Sequence, residues 1–191
     1  GVTEIGDGAF MNCTGLTAAA IPNTVRGIGN GAFENCNSLK KVAISKGVTE
    51  IRDGTFMNCT GLKKVALPKG VTEIGNWTFW GCSGLTAVAI PKGVTKIGDR
   101  AFWGCSGLAS VTIPGSVTTI GPHAFERCTG LTSVVIPDSV TDIAEDAFDG
   151  CPNLRFVTLP SEPQAPGFTG SNPKTIVIPD NLIPPMIVLR E

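Results

Sequence analysis

Cysteine recurs every 23 residues along this chain, at Cys13, Cys36, Cys59, Cys82, Cys105, Cys128 and Cys151. A fixed period of this length is the signature of a solenoid, in which each unit buries its apolar face only against its neighbours. The core of such a chain is a line, not a ball. Other positions keep the same beat. Val2-Thr3-x-Ile5-Gly6-x-x-Ala9-Phe10-x-x-Cys13-x-x-Leu16-x-x-Ala19-x-Ile21-Pro22 returns as Val71-Thr72-x-Ile74-Gly75-x-x-Thr78-Phe79-x-x-Cys82-x-x-Leu85-x-x-Val88-x-Ile90-Pro91. Phe10, Phe33, Phe56, Phe79, Phe102, Phe125 and Phe148 form a second unbroken column. Seven units therefore run from Val2 to about Pro160.

Within a unit, Leu85-x-x-Val88-x-Ile90 alternates as a half-buried strand does. Pro22, Pro68, Pro91, Pro114, Pro137 and Pro160 close that strand, with Ser45 standing in once. Val-Thr-x-Ile follows as a second short extended piece. Ala9, Phe10, Cys13 and Leu16 fall at i, i+1, i+4 and i+7, a spacing that predicts one or two helical turns. Successive strands then form a parallel ribbon with helical turns along the other side, and the unequal widths predict a curve. The expected fold is an α/β solenoid of short parallel strands and short helical turns.

The motif Leu-x-x-Val-x-Ile-Pro-x-x-Val-Thr-x-Ile-Gly-x-x-Ala-Phe-x-x-Cys resembles the bacterial surface leucine-rich repeat of BspA-like proteins. The resemblance covers about 160 of the 191 residues. It implies a curved right-handed solenoid, an extracellular or cell-surface location, and attachment to host or neighbouring-cell proteins of extracellular-matrix or plasma type. Departures are few: Arg52 and Ala144 replace the glycine after Ile, and Thr55 and Thr78 replace the alanine before Phe. After Pro160 the beat breaks into a Pro/Gly-rich stretch and a degenerate strand, Lys174 to Pro179. The expectation is therefore a solenoid over 1–160, with seven full repeats, and a degenerate terminal repeat or C-terminal cap over 161–191. No comparable cap precedes the first repeat, and no signal peptide is visible. This predicts a fragment of a larger or processed protein, or an intermolecular contact at that end.

Composition narrows function. Apolar residues make up 42% and charged residues 16%, with a net charge of −1. That balance argues for neither nucleic acid nor an anionic membrane surface. No apolar run approaches the ~20 residues that cross a bilayer. Seven cysteines cannot all pair with one another, and no Cys-x-x-Cys occurs, so zinc spacing is missing. They read as small buried spacers about 4.8 Å apart in a ladder. The chain has one histidine, His123, placed outward beside Pro122, and no tyrosine. No phosphate loop, His-Glu-x-x-His or Gly-x-Ser-x-Gly motif appears. The expectation is a non-enzymatic chain with no cofactor and no metal.

A repeat protein carries specificity in its outward columns, and two stand out. The strand side carries Lys40, Lys41, Lys63 and Lys64, with Lys46, Lys69 and Lys92 at the strand ends. From Thr24 to Gly93, seven Lys and two Arg face Glu34, Glu50, Asp53 and Glu73, a balance of +5. From Val117 to Pro160 the balance is −4, with Arg127 and Arg155 against six acidic residues. Lys46–Glu50 and Lys69–Glu73 pairs across a turn would make the lysine face merely solvated. On the other side, Met57, Trp80 and Trp103 follow Phe in successive units, with Trp77 nearby and Arg100 one unit further. Clustered outward tryptophans mark interaction sites. The function expected is a protein-binding, adhesin-like module. The alternatives are a self-associating structural spacer and glycan binding through the tryptophan ridge.

Overall fold

The computed structural model describes residues 1–144 and 146–158. The 161–191 cap expected from sequence lies outside the described residues. Among the described residues fourteen short strands, β1 to β14 in chain order, fall two to a unit and stack into two parallel ribbons. The first ribbon is β2 (Ala18–Ala20), β4 (Lys41–Ala43), β6 (Lys64–Ala66) and β8 (Ala87–Ala89), then β10 (Ser110–Thr112), β12 (Ser133–Val135) and β14 (Phe156–Thr158). Its central residues, such as Val42, Val65, Val111 and Val134, point inward while their neighbours face solvent. The second ribbon is β1 (Glu4–Ile5), β3 (Gly27–Ile28) and β5 (Glu50–Ile51), then β7 (Glu73–Ile74), β9 (Lys96–Ile97), β11 (Thr119–Ile120) and β13 (Asp142–Ile143). Register advances by 23 residues per coil, as in Lys64↔Ala87 and Glu73↔Lys96. Each ribbon has one lapse in its ladder: β8 and β10 in the first, β5 and β7 in the second, lie side by side without pairing.

Two sequence expectations need correction. The stack of described residues makes about six turns, β1 to β13 through the registers Glu4↔Gly27 to Thr119↔Asp142, rather than seven full repeats. The third side of the coil is not helical, and no helix occurs among the described residues. It is a run of β-turns. Met11 N donates to Gly8 O (2.9 Å) and Cys13 N to Phe10 O (3.1 Å), closing turns within the coil. The intervening amides point out of the coil: Gly8 N, Phe10 N and Asn12 N donate to Asn30 O, Ala32 O and Glu34 O of the next one. The reason is backbone handedness. Gly8 and Asn12, Gly31 and Asn35, and Gly54 and Asn58 all have φ between 55° and 62°. A left-handed residue at every fourth position interrupts any i→i−4 ladder. Glycine and asparagine adopt that conformation most readily.

Inside, the phenylalanines from Phe10 to Phe148 stack as one column with centroids 5.0–5.6 Å apart and planes within 13°. Such offset ring pairs add to the stabilisation from burial alone. Val, Ile, Ala, Leu and Cys columns complete the core. Thr55 and Thr78 occupy the alanine column fully buried, and each satisfies its hydroxyl locally: Thr55 Oγ1 donates to Arg52 O (2.7 Å) and Thr78 Oγ1 to Gly75 O (2.8 Å). The cysteines are free thiols, buried except Cys13. They are more than spacers. Each buried Sγ donates to the carbonyl of the phenylalanine one coil back, as Cys59 to Phe33 O (3.0 Å) and Cys105 to Phe79 O (3.1 Å). Burial pushes Cys59 up to about 12 and Cys151 up to about 11, and holds Cys82, Cys105 and Cys128 well above the ordinary thiol range.

Candidate interaction surface

The β-turn side divides into two halves. In the first three coils it carries an amide ladder: Asn35 Nδ2 donates to Asn12 Oδ1 and Asn58 Nδ2 to Asn35 Oδ1, each at 2.9 Å. The ladder stops at Gly81, where a Cβ would collide with Asn58 Oδ1. From there the surface becomes aromatic. The column that reads Gly8, Gly31, Gly54 continues as Trp77, Arg100 and His123, and all three keep a left-handed backbone (φ 54°, 51° and 56°). A bulky side chain in this region costs about 1–2 kcal/mol relative to glycine.

Trp80 and Trp103 stack face to face, 4.9 Å between centroids and 8° between planes, and both are half-buried. The Arg127 guanidinium of the next coil sits over Trp103 at 5.3 Å. Met57 precedes them in the column, half-buried, and Trp77 stands 40% exposed at the rim. The cation–π contact among the described residues is Arg127 on Trp103, with Arg100 half-buried in the coil between Trp77 and His123.

His123 is not a free solvent-facing histidine. Its Nδ1 lies 2.7 Å from Glu126 Oε2 and its Nε2 lies 2.9 Å from Asp146 Oδ2, while its backbone amide donates to Asp146 Oδ1 (3.0 Å). The ring contacts are close approaches without hydrogen-bond alignment at Nδ1. Aligning the sequence on its 23-residue period puts position 146 directly over 123, which is the signal that would have found this bridge. Among the described residues no group of three His, Cys, Asp or Glu side chains forms a metal site.

The strand side holds the lysines. Lys41 and Lys64 stand opposite each other in register, both exposed, with Lys40 and Lys63 beside them. Lys46, Lys69 and Lys92 project from the β-turns after the first-ribbon strands, closed by bonds such as Val71 N to Pro68 O (3.1 Å). The cross-turn pairs offered by the sequence do not form. Glu50 binds Arg52 (3.1 Å), which also reaches Glu4 (3.3 Å), and every ion pair among the described residues uses Arg or His. Thus the lysine and tryptophan candidates fall on different sides of the coil, and the fold does not bring them together. Where the first ribbon's ladder lapses, a groove of about 760 Å³ opens, lined by Val88, Ala89, Ile90, Lys92, Thr112, Pro114, Gly115 and Ser116.

Among solved structures, a leucine rich cell surface protein from Faecalibacterium prausnitzii A2-165 is 30% identical with a TM-score of 0.55, covering 84% of this chain and 59% of that one. The T. pallidum leucine rich repeat protein is 31% identical (TM-score 0.58, 84% and 64% covered). A leucine-rich repeat protein from Eubacterium ventriosum ATCC 27560 is 28% identical (TM-score 0.59, 78% and 45% covered). The chain therefore spans less than two thirds of the length of each. No curated protein matches it. The model of the BspA type leucine rich repeat region matches residues 3–132 and 118–184, in six copies. Matched over most of its length and built from the same stacked units, the chain belongs to the BspA-type leucine-rich repeat family.

Proposed function

We propose that this chain is a non-catalytic, adhesin-like protein-binding module of a bacterial cell-surface or secreted protein. Its partner is a host or neighbouring-cell protein of extracellular-matrix or plasma type, engaged through the ridge of Trp77, Arg100, Trp80 and Trp103. One observation carries this reading. Three successive coils replace glycine by Trp77, Arg100 and His123 at left-handed positions, where the fold itself favours glycine. Large side chains held there at a conformational cost suit a surface selected for contact. Rigid aromatic and arginine side chains are the residues that dominate protein interfaces. The cell-surface location draws support from the family and from the F. prausnitzii relative, described as a cell surface protein.

Glycan binding fits the ridge less well, because sugars stack on free indole faces. Trp80 and Trp103 cover each other, and Arg127 covers Trp103. Self-association as a structural spacer is the remaining alternative. Light scattering across a concentration series decides that point.

The test is capture of the chain by immobilised matrix and plasma proteins at low and at physiological salt. The reading expects saturable capture at both, lost in a Trp77→Gly, Trp80→Ala, Trp103→Ala variant that still unfolds cooperatively. Capture confined to low salt, or untouched by the variant, overturns it.

A further inference from the structure

The geometry points to a second site on the strand side, a two-railed trough for a linear sulfated glycosaminoglycan. Side chains alternate along a strand, so positions 41 and 43 share the outer face of β4, as 64 and 66 share that of β6. The floor of the trough is therefore a column of exposed alanines, Ala43, Ala66 and Ala89. Lys41 and Lys64 rise on one edge, and Lys46, Lys69 and Lys92 rise on the other. Both rails run along the coil axis at the strand spacing, about 4.8 Å per step.

Three features define the ligand. Like charges directly opposite each other in a parallel pair repel, yet Lys41 and Lys64 stand in register, and no lysine among the described residues has a carboxylate within ion-pair distance. The site is charged for something outside the chain. Lysine heads are mobile point charges, suited to anions that recur along a polymer without fixed geometry. No large apolar or aromatic side chain stands on the floor over these coils, so an acidic protein finds no anchor and a nucleic acid finds no stacking platform. A sugar chain bearing sulfates on alternate sides meets both rails and stays hydrated elsewhere. The trough lies apart from the aromatic ridge, so it stands or falls independently of the protein-binding reading.

Heparin is the probe, titrated against the immobilised full chain at about 50, 150 and 300 mM NaCl. The expected result is saturable binding at 150 mM whose affinity falls steeply with salt. Reversing either rail, Lys41→Glu with Lys64→Glu or Lys46→Glu with Lys69→Glu and Lys92→Glu, should lower affinity by about tenfold or more. The corresponding glutamine variants should lower it less, and supply the result should a reversal not fold. Lys96→Glu and Trp77→Gly should leave it unchanged. Equal or tighter binding of fully desulfated heparin, polyglutamate or single-stranded DNA overturns the assignment. So does heparin affinity that survives loss of one rail, or absence of binding at 150 mM.

Discussion

Cys82 Sγ donates to the carbonyl oxygen of Phe56, one coil back, at 3.1 Å. That oxygen also accepts the Cys59 amide at 3.1 Å, so both of its lone pairs are used. The thiol therefore ties one layer to the previous one at the most buried point of the coil.

Alkaline stability follows from these thiols. In the fold Cys59, Cys82, Cys105, Cys128 and Cys151 stay protonated well past the ordinary thiol value of 9.0, because burial disfavours the thiolate. The unfolded chain ionises near that value. Above it the unfolded state binds fewer protons than the native one, so stability falls as pH rises. The unfolding free energy should be flat to about pH 8 and fall from about pH 9, by roughly 1.4 kcal/mol per pH unit for each fully protected thiol, with Tm falling alongside it. A Cys82→Ala, Cys105→Ala variant should be less stable at neutral pH but show a shallower alkaline decline. Equal slopes would refute the linkage.

Thiol reactivity gives an independent check. Cys13 is exposed, and the other six cysteines are buried. A disulfide-exchange reagent should modify one thiol quickly under native conditions and seven after denaturation. Rapid native modification of two or more would contradict the closed column.

Asn35 joins backbone conformation to side-chain ladder, with φ 58° and amide bonds to Asn12 and Asn58. Asn35→Gly removes the bonds but keeps left-handed freedom, and should cost about 1 kcal/mol. Asn35→Ala removes both and should cost about 1–2 kcal/mol more. Denaturant titration measures the difference, and an alanine variant as stable as the glycine one would sink this account.

Trp77 reverses the usual order of substitutions. Trp77→Gly loses packing but relieves the left-handed strain, whereas Trp77→Ala loses packing and keeps it. Glycine should be the more stable replacement by about 1 kcal/mol, with partner capture lowered in both. The opposite ranking in thermal unfolding would show that the backbone there is unstrained.

Phe79 sits between Phe56 and Phe102, at 5.6 and 5.2 Å. Phe79→Ala should cost about 3–5 kcal/mol. Because each unit touches chiefly its neighbours, lost hydrogen-exchange protection should be greatest in the coils around residue 79. Loss spread evenly from end to end would mean the stack melts as one body.

Much of this is legible from residues alone. The 23-residue step from Cys13 to Cys151 dictates a solenoid, and the inward columns Val, Ile, Ala, Phe, Cys and Leu are those found buried. The turn side misleads because Ala9, Phe10, Cys13 and Leu16 satisfy a helical spacing and a succession of β-turns equally well. The discriminating sign is the Gly/Asn pair four residues apart, Gly31 and Asn35 for example, residue types that a helix disfavours and that take up left-handed backbone readily. Tertiary neighbours explain the remaining differences. His123 meets Asp146 only because coils stack, and Glu50 turns to Arg52 rather than to Lys46. The lysine and tryptophan columns are both visible, but nothing within one repeat reveals that Trp80 and Trp103 close their faces on each other.

The lapses in the two ribbons fall at different levels, between β5 and β7 on one face and between β8 and β10 on the other. Across the third side, hydrogen bonds such as Asn58 N to Trp80 O and Gly81 N to Trp103 O span both levels. The joints are staggered as in bonded brickwork. A tensile load along the stack therefore meets no plane on which adjacent coils can separate without also rupturing an intact seam.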